Sequence, residues 1–81
     1  MTTKEILNLV LKEVDRAEKL HPNWPDDMVH AAAIVGEESG ELIRAALNYT
    51  YEGEGIDEVK TEAVQTAATA IRLLKNINKP T

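Results

Sequence analysis

Cysteine and phenylalanine are both missing from this chain, and its aromatic residues are limited to Trp24, Tyr49 and Tyr51. Without cysteine there is neither a disulfide framework nor a thiolate zinc site. Without phenylalanine the core has to be built from Leu, Ile, Val and many Ala, which favours close helix–helix approach over a thick core. No run of about 18 apolar residues is present, so no membrane span is expected. Positive charge is also in deficit: nine Lys and Arg against 14 Asp and Glu leave a net charge of −5. That balance argues against a nucleic-acid polymer held through its phosphate backbone. A small nucleotide stays compatible, because bound cations reverse the local sign of the field. Met1-Thr2-Thr3-Lys4-Glu5 leads into an amphipathic pattern broken by acidic residues, not into a signal peptide. A cytoplasmic setting is the simplest expectation.

What is present reads as helix throughout. Ile6, Leu7, Val10, Leu11, Val14 and Ala17 recur at helical spacing, predicting a first helix over about 3–20 with Thr2 or Thr3 as its N-cap. His21-Pro22-Asn23-Trp24-Pro25 breaks it. Asp26 or Asp27 caps a second helix running to about Thr50, with Met28, Ala31, Ala32, Val35, Leu42, Ala46 and Leu47 on its apolar side. Gly36 and Gly40 lie inside that helix, where each costs about 1 kcal/mol relative to Ala, so close packing or a close ligand is expected there. Glu52-Gly53-Glu54-Gly55 is a loop. Asp57 then caps a third helix to about Asn76, with Val59, Ala63, Ala67, Ala70, Ile71, Leu74 and Ile77 on its apolar side, Lys75 and Lys79 near its end and Pro80 closing it. No strand pattern competes. The 81 residues make one all-α domain, 1–81, of three main helices. A chain this short buries only about 60% of its unfolded surface, so a second copy is expected to complete the bundle, as a homodimer or homotetramer.

Two acidic clusters carry the chemistry. Glu37-Glu38-Ser39-Gly40-Glu41 lies between apolar flanks, and Glu62 precedes Gln65 by three positions. Residues at i and i+3 or i+4 share a helix face, so Glu38 points with Glu41, and Glu62 with Gln65. Ile34, Ala45 and Asn48 lie on the same stripe as Glu38 and Glu41, which sets those glutamates at the border of the buried face. Like charges there repel, and carboxylates taken out of water without a partner cost several kcal/mol each. A magnesium ion, with manganese as an alternative, resolves both: it takes oxygen ligands and commonly holds substrate phosphates. Gln65 offers a neutral carbonyl oxygen, a weaker donor than a carboxylate. A solvated acidic face is the competing reading.

Other residues are weighed in pairs of readings. Trp24 is either a hydrophobic lid over the bundle end or a stacking platform for a base. Asn48 and the nearby tyrosines are within reach of a base or sugar. Lys60, Arg44, Arg72 and Lys75 are either phosphate contacts or ordinary helix-surface charges. His21 and His30 match no metal-ligand spacing.

At the two acidic clusters the chain resembles the MazG-like, all-α nucleoside triphosphate pyrophosphohydrolase superfamily, whose signature is E-E-x-x-E, a gap, then E-x-x-D. Glu37, Glu38 and Glu41 match the first block, Gly40 matches a glycine often found before its last Glu, and Glu62 opens the second block. Gln65 departs from it, standing where the family has Asp. The resemblance covers residues 25–74. It implies magnesium-dependent hydrolysis of a nucleoside triphosphate to monophosphate and pyrophosphate, a house-cleaning activity on nucleotide pools. It further implies Glu38, Glu41 and Glu62 as magnesium ligands, with Gln65 beside them. Glu37 either ligates or orients water, and the family's sites are lined by helices of neighbouring subunits. Trp24, Asn48 and Lys60 are the nucleotide-binding candidates. The alternatives are a non-catalytic nucleotide-binding module that has lost activity through Gln65, and a purely structural oligomerisation domain.

Overall fold

The structure, a computed structural model, describes residues 1–77. Lys79 and Pro80, expected near the end of the last helix, lie outside the described residues. Three helices follow one another: α1 (Thr3–Leu20), α2 (Met28–Tyr51) and α3 (Asp57–Asn76). No strand is present among the described residues. Each start has a local cause. Thr2 and Glu5 form a reciprocal capping box, each side chain accepting from the other's backbone N–H at 3.1 and 3.0 Å. Asp27 caps α2, accepting from the N–H of His30 at 2.7 Å. The expected cap of α3 is corrected: Asp57 is its first helical residue. The N-cap is Ile56, in a right-handed helical conformation with no side-chain bond. Asp57 and Glu58 therefore act only as favourable charges in the first turn. Helix α2 ends where Gly53 takes φ +72, a left-handed conformation that favours glycine. The N–H of Glu54 turns back to the Asn48 carbonyl there.

Helix α3 is the centre of the molecule. It packs against α2 along most of its length and against α1, while the α1 and α2 backbones do not approach each other. The core is thin: Val10 and Val14 of α1 and Ala68 of α3 are buried, with Val64 and Ile71 packed against them. Ala31 and Ala45 of α2 are buried too. Of the alanines placed on apolar faces by periodicity Ala31 is buried, and Ala45 and Ala68 are buried as well. At one end Lys75 bridges to Glu18 at 2.7 Å across α3 and α1, an exposed pair that contributes little. There Arg72 also donates to the His21 carbonyl.

Much of each apolar stripe stays uncovered. Ile6, Leu7 and Leu11 of α1, Met28, Ile43 and Leu47 of α2, and Leu74 and Ile77 of α3 are exposed by 40% or more. Ala32, Ala46, Ala63 and Ala67, expected on apolar faces, are exposed as well. The expectation that Gly36 and Gly40 admit a close neighbour is not met within the chain: a Cβ at either would meet nothing within 4 Å. The radius of gyration is 13.9 Å, against about 12 Å for a compact domain of this length. The accessible surface is 5978 Å², against roughly 4,900 Å² from the area scaling of monomeric proteins.

Because Ala68 is only 2% exposed between α1 and α3, Ala68→Leu is expected to overpack the core and destabilise the protein by about 1–3 kcal/mol. Urea unfolding measures this as a lowered midpoint; an unchanged midpoint would mean the α1–α3 contact is looser than described.

Candidate functional site

Glu38 and Glu41 lie one turn apart on α2, and Glu62 sits on the facing side of α3. Packing of α3 against α2 brings one carboxylate oxygen from each to within 4.8 Å of the others. Glu38 and Glu62 are half-buried and Glu41 is exposed. The Oε2 atoms of Glu38 and Glu62 are buried without a hydrogen-bond partner among the described residues. No basic side chain forms an ion pair with the three among the described residues. A buried acceptor without a donor costs the desolvation of that atom. Two of them side by side are an arrangement that a packed helix pair keeps only against its own electrostatics.

Titration reflects the same strain. Burial, followed by the charges of Glu41, Glu13 and Glu37, raises the Glu38 carboxyl above its usual 4.5. Burial also raises Glu62 above 4.5, followed by the charge and hydrogen-bonding reach of Glu41 and then the charges of Glu38 and Glu58. Desolvation and like charge act in one direction here, both favouring the neutral form.

The donor set fits a hard divalent cation. It is all oxygen, carboxylate-rich and converging. Twice the magnesium–oxygen distance is about 4.2 Å, so atoms within 4.8 Å come onto one ion by small side-chain rotations. Glu38, Glu41 and Glu62 are the residues that could hold it. Glu37 is exposed next to the group and is not part of it.

Two cavities open on either side of the cluster. One, of about 400 Å³, is bordered by all three helices and by the α1–α2 connection. Glu13, Arg16, His21, Asn23, Trp24, Glu38, Gln65, Thr69 and Arg72 are on its wall. The other, of about 370 Å³, is lined by Glu41, Arg44, Asn48, Glu54, Glu58 and Glu62. Gln65 therefore shares a wall with Glu38, on the side where a neutral oxygen is available to a ligand. Trp24 and Asn48 reach the two cavities that flank the cluster, one each. Lys60 does not: it borders separate grooves with Met1 and Val64 between α1 and α3. Arg16 is tied to Glu13, its Nε donating at 2.8 Å. Thr69 back-bonds to the Gln65 carbonyl at 2.7 Å, a local bond within α3.

The sequence reading missed Arg72, which it weighed only as a surface charge or a phosphate contact. Arg72 is buried, 8% exposed, with its guanidinium 5.0 Å from the centroid of the Trp24 ring. The available signal was its position, a lone charge inside Ala70-Ile71-Arg72-Leu73-Leu74. One face of Trp24 is thus taken by a guanidinium, and the ring is half-buried over the end of the helices.

Since folding raises the proton affinity of Glu38 and Glu62, the stability these groups contribute is complete below pH 4.5 and lost as pH rises through their raised values. Metal-free protein is expected to melt lower at neutral pH than just above pH 4.5 on their account, and Glu62→Gln is expected to flatten that slope. Magnesium at a hundredfold excess over its Kd would restore about 2.7 kcal/mol at neutral pH, a rise on the order of 10 °C in melting temperature. Thermal melts with magnesium and with chelator check both; identical melts for wild type and Glu62→Gln would contradict the clustering. Comparison with protein-family models, with curated proteins and with solved structures finds no match to this chain.

Proposed function

We propose that the protein is a magnesium-dependent nucleoside triphosphate pyrophosphohydrolase that releases a nucleoside monophosphate and pyrophosphate, acting on nucleotide pools in the cytoplasm. One observation carries this reading: three carboxylates from α2 and α3 meet with two buried, unpartnered oxygens among them, between cavities that together have room for a nucleotide. The E-E-x-x-E and E-x-x-Q spacing supports it through the resemblance described above. No helix among the described residues is long and apolar enough to cross a membrane.

Glu38, Glu41 and Glu62 would hold the ion. When bound it supplies charge neutralisation for phosphate oxygens and a lowered pKa for an attacking water. The chain's own part is positioning. Glu37, exposed beside the cluster, would orient and activate that water in this reading. Gln65 offers an amide to the ligand on the Glu38 side, and Arg44 and Asn48 stand across the second cavity, within reach of a departing anion or a sugar. Positioning and electrostatics dominate phosphoryl transfer, so this division of labour needs no protein nucleophile.

The active unit in this reading is a homodimer, or a homotetramer built from two such dimers. Its support is the roughly 1,000 Å² of surface beyond a compact monomer's. A protomer of a standard interface buries about 800 Å². Gln65 in place of Asp is the specific feature favouring the second reading, a nucleotide-binding module without turnover.

Glu38→Gln and Glu41→Gln are expected to lower pyrophosphate release from a panel of triphosphates with magnesium or manganese by at least a hundredfold, with helical content retained by circular dichroism. Full turnover in both variants would place the chemistry elsewhere. Binding without turnover in the wild type would select the second reading.

A further inference from the structure

Three charged groups in the larger cavity, Glu13, Arg16 and Arg72, have no part in the proposed hydrolysis; the first two pair with each other and Arg72 pairs with no carboxylate among the described residues. Arg72 is 8% exposed. Its Nη2 donates to the His21 carbonyl at 2.5 Å, and its plane lies over Trp24. Its Nε has no partner, and among the described residues no carboxylate is within ion-pair distance of the guanidinium. A guanidinium carries five N–H donors and no acceptor. Burying one without an anion is strongly unfavourable, and a single carbonyl and one aromatic face offset only part of that. The side chain lines a cavity of about 400 Å³, a size typical of small-molecule sites, which run from about 300 to 1,000 Å³. The same cavity reaches Glu38 of the acidic cluster, so a triphosphate held at the cluster leaves the rest of its nucleotide within reach of Arg72.

The remaining wall decides what kind of acceptor fits. Arg16 is engaged by Glu13 on this wall, and Glu38 faces the same cavity, so a second negative group would meet the Glu38 carboxylate without gaining Arg16. A neutral, acceptor-rich edge would not. Resting on the nucleotide reading of the site, we propose that Arg72 reads the carbonyl edge of the base, which makes the substrates nucleotides of the oxo bases guanine, uracil or thymine in preference to adenine. Guanine presents O6 and N7 and thymine or uracil presents O4, all acceptors, whereas adenine sets an amino donor where guanine has its carbonyl. Donor against donor leaves the guanidinium without an acceptor. Asn23 and Gln65, whose amides both donate and accept, complete the edge without adding charge.

Calorimetry on the full chain with magnesium and the non-hydrolysable α,β-methylene analogues of dGTP, dUTP and dATP tests this. The wild type is expected to bind the guanine analogue about 10- to 100-fold more tightly than the adenine analogue, the discrimination of one good bidentate contact, and the uracil analogue, with its single O4 acceptor, more tightly than the adenine analogue by a smaller factor. Arg72→Gln is expected to erase that ratio, because an amide serves either edge, and Arg72→Lys to keep its sign at a smaller value. A purely structural role for Arg72 would weaken all analogues together and leave their ratio intact. If a variant does not fold, the wild-type ranking alone decides. Equal binding of all three analogues, or a preference that survives Arg72→Gln, overturns the assignment while leaving a metal-dependent nucleotide site standing. Failure of every analogue to bind removes the site reading and this inference together.

Discussion

Helix α3 holds two incompatible demands together: it packs α2 and α1 into one body, and in doing so it presses Glu62 against Glu38 and Glu41, which have no basic side chain paired with them among the described residues. Every other feature of the site follows from that contact. The cavity on the Glu38 side opens where the α1 and α2 backbones stay apart around α3, and the one on the Glu41 side lies between α2 and α3 alone. The carboxyls hold protons more tightly than usual because the contact both buries them and brings like charges together. A helix pair that bears such repulsion at its seam is stabilised by whatever supplies positive charge there, and we propose that this is a divalent ion together with the phosphates it carries.

The thinness of the core belongs to the same picture. Among the described residues only Val10, Val14, Ala31, Ala45 and Ala68 are buried apolar residues, and stripes on all three helices lie open. Small residues along the α2–α3 seam allow the backbones to come close enough for short glutamate side chains to meet. The same small residues leave little apolar area to stabilise one copy alone. Site and proposed self-association thus share a cause, the choice of alanine over larger side chains where α3 meets its neighbours.

Helix ends were legible in the sequence because their causes are local. Thr2 with Glu5, Asp27, the Pro22–Pro25 break and Gly53 each act within a few residues. Asp57 misled because its neighbour Ile56 adopts helical dihedrals, and that moves the helix start one residue earlier than a capping side chain requires. Glu38, Glu41 and Glu62 were legible from spacing and apolar flanks, since the face a helix buries is written in its period. Arg72 was not, because its burial depends on where the end of α1 and the Trp24 connection come to rest against α3. The same holds for Lys60: its position on α3 suited a phosphate, but the helix turns it toward α1 and away from the cluster. Met28, Leu47 and Leu74 lie on the apolar side by periodicity, and remain exposed because no other element among the described residues covers them.

The most direct measurement of the central claim is electron paramagnetic resonance of manganese titrated into the metal-free protein. Progressive loss of the free-ion signal is expected with wild type, saturating at a fixed ratio to protein, and little or no loss with Glu62→Gln. A free-ion signal unchanged by wild-type protein, with or without a bound nucleotide, would contradict it.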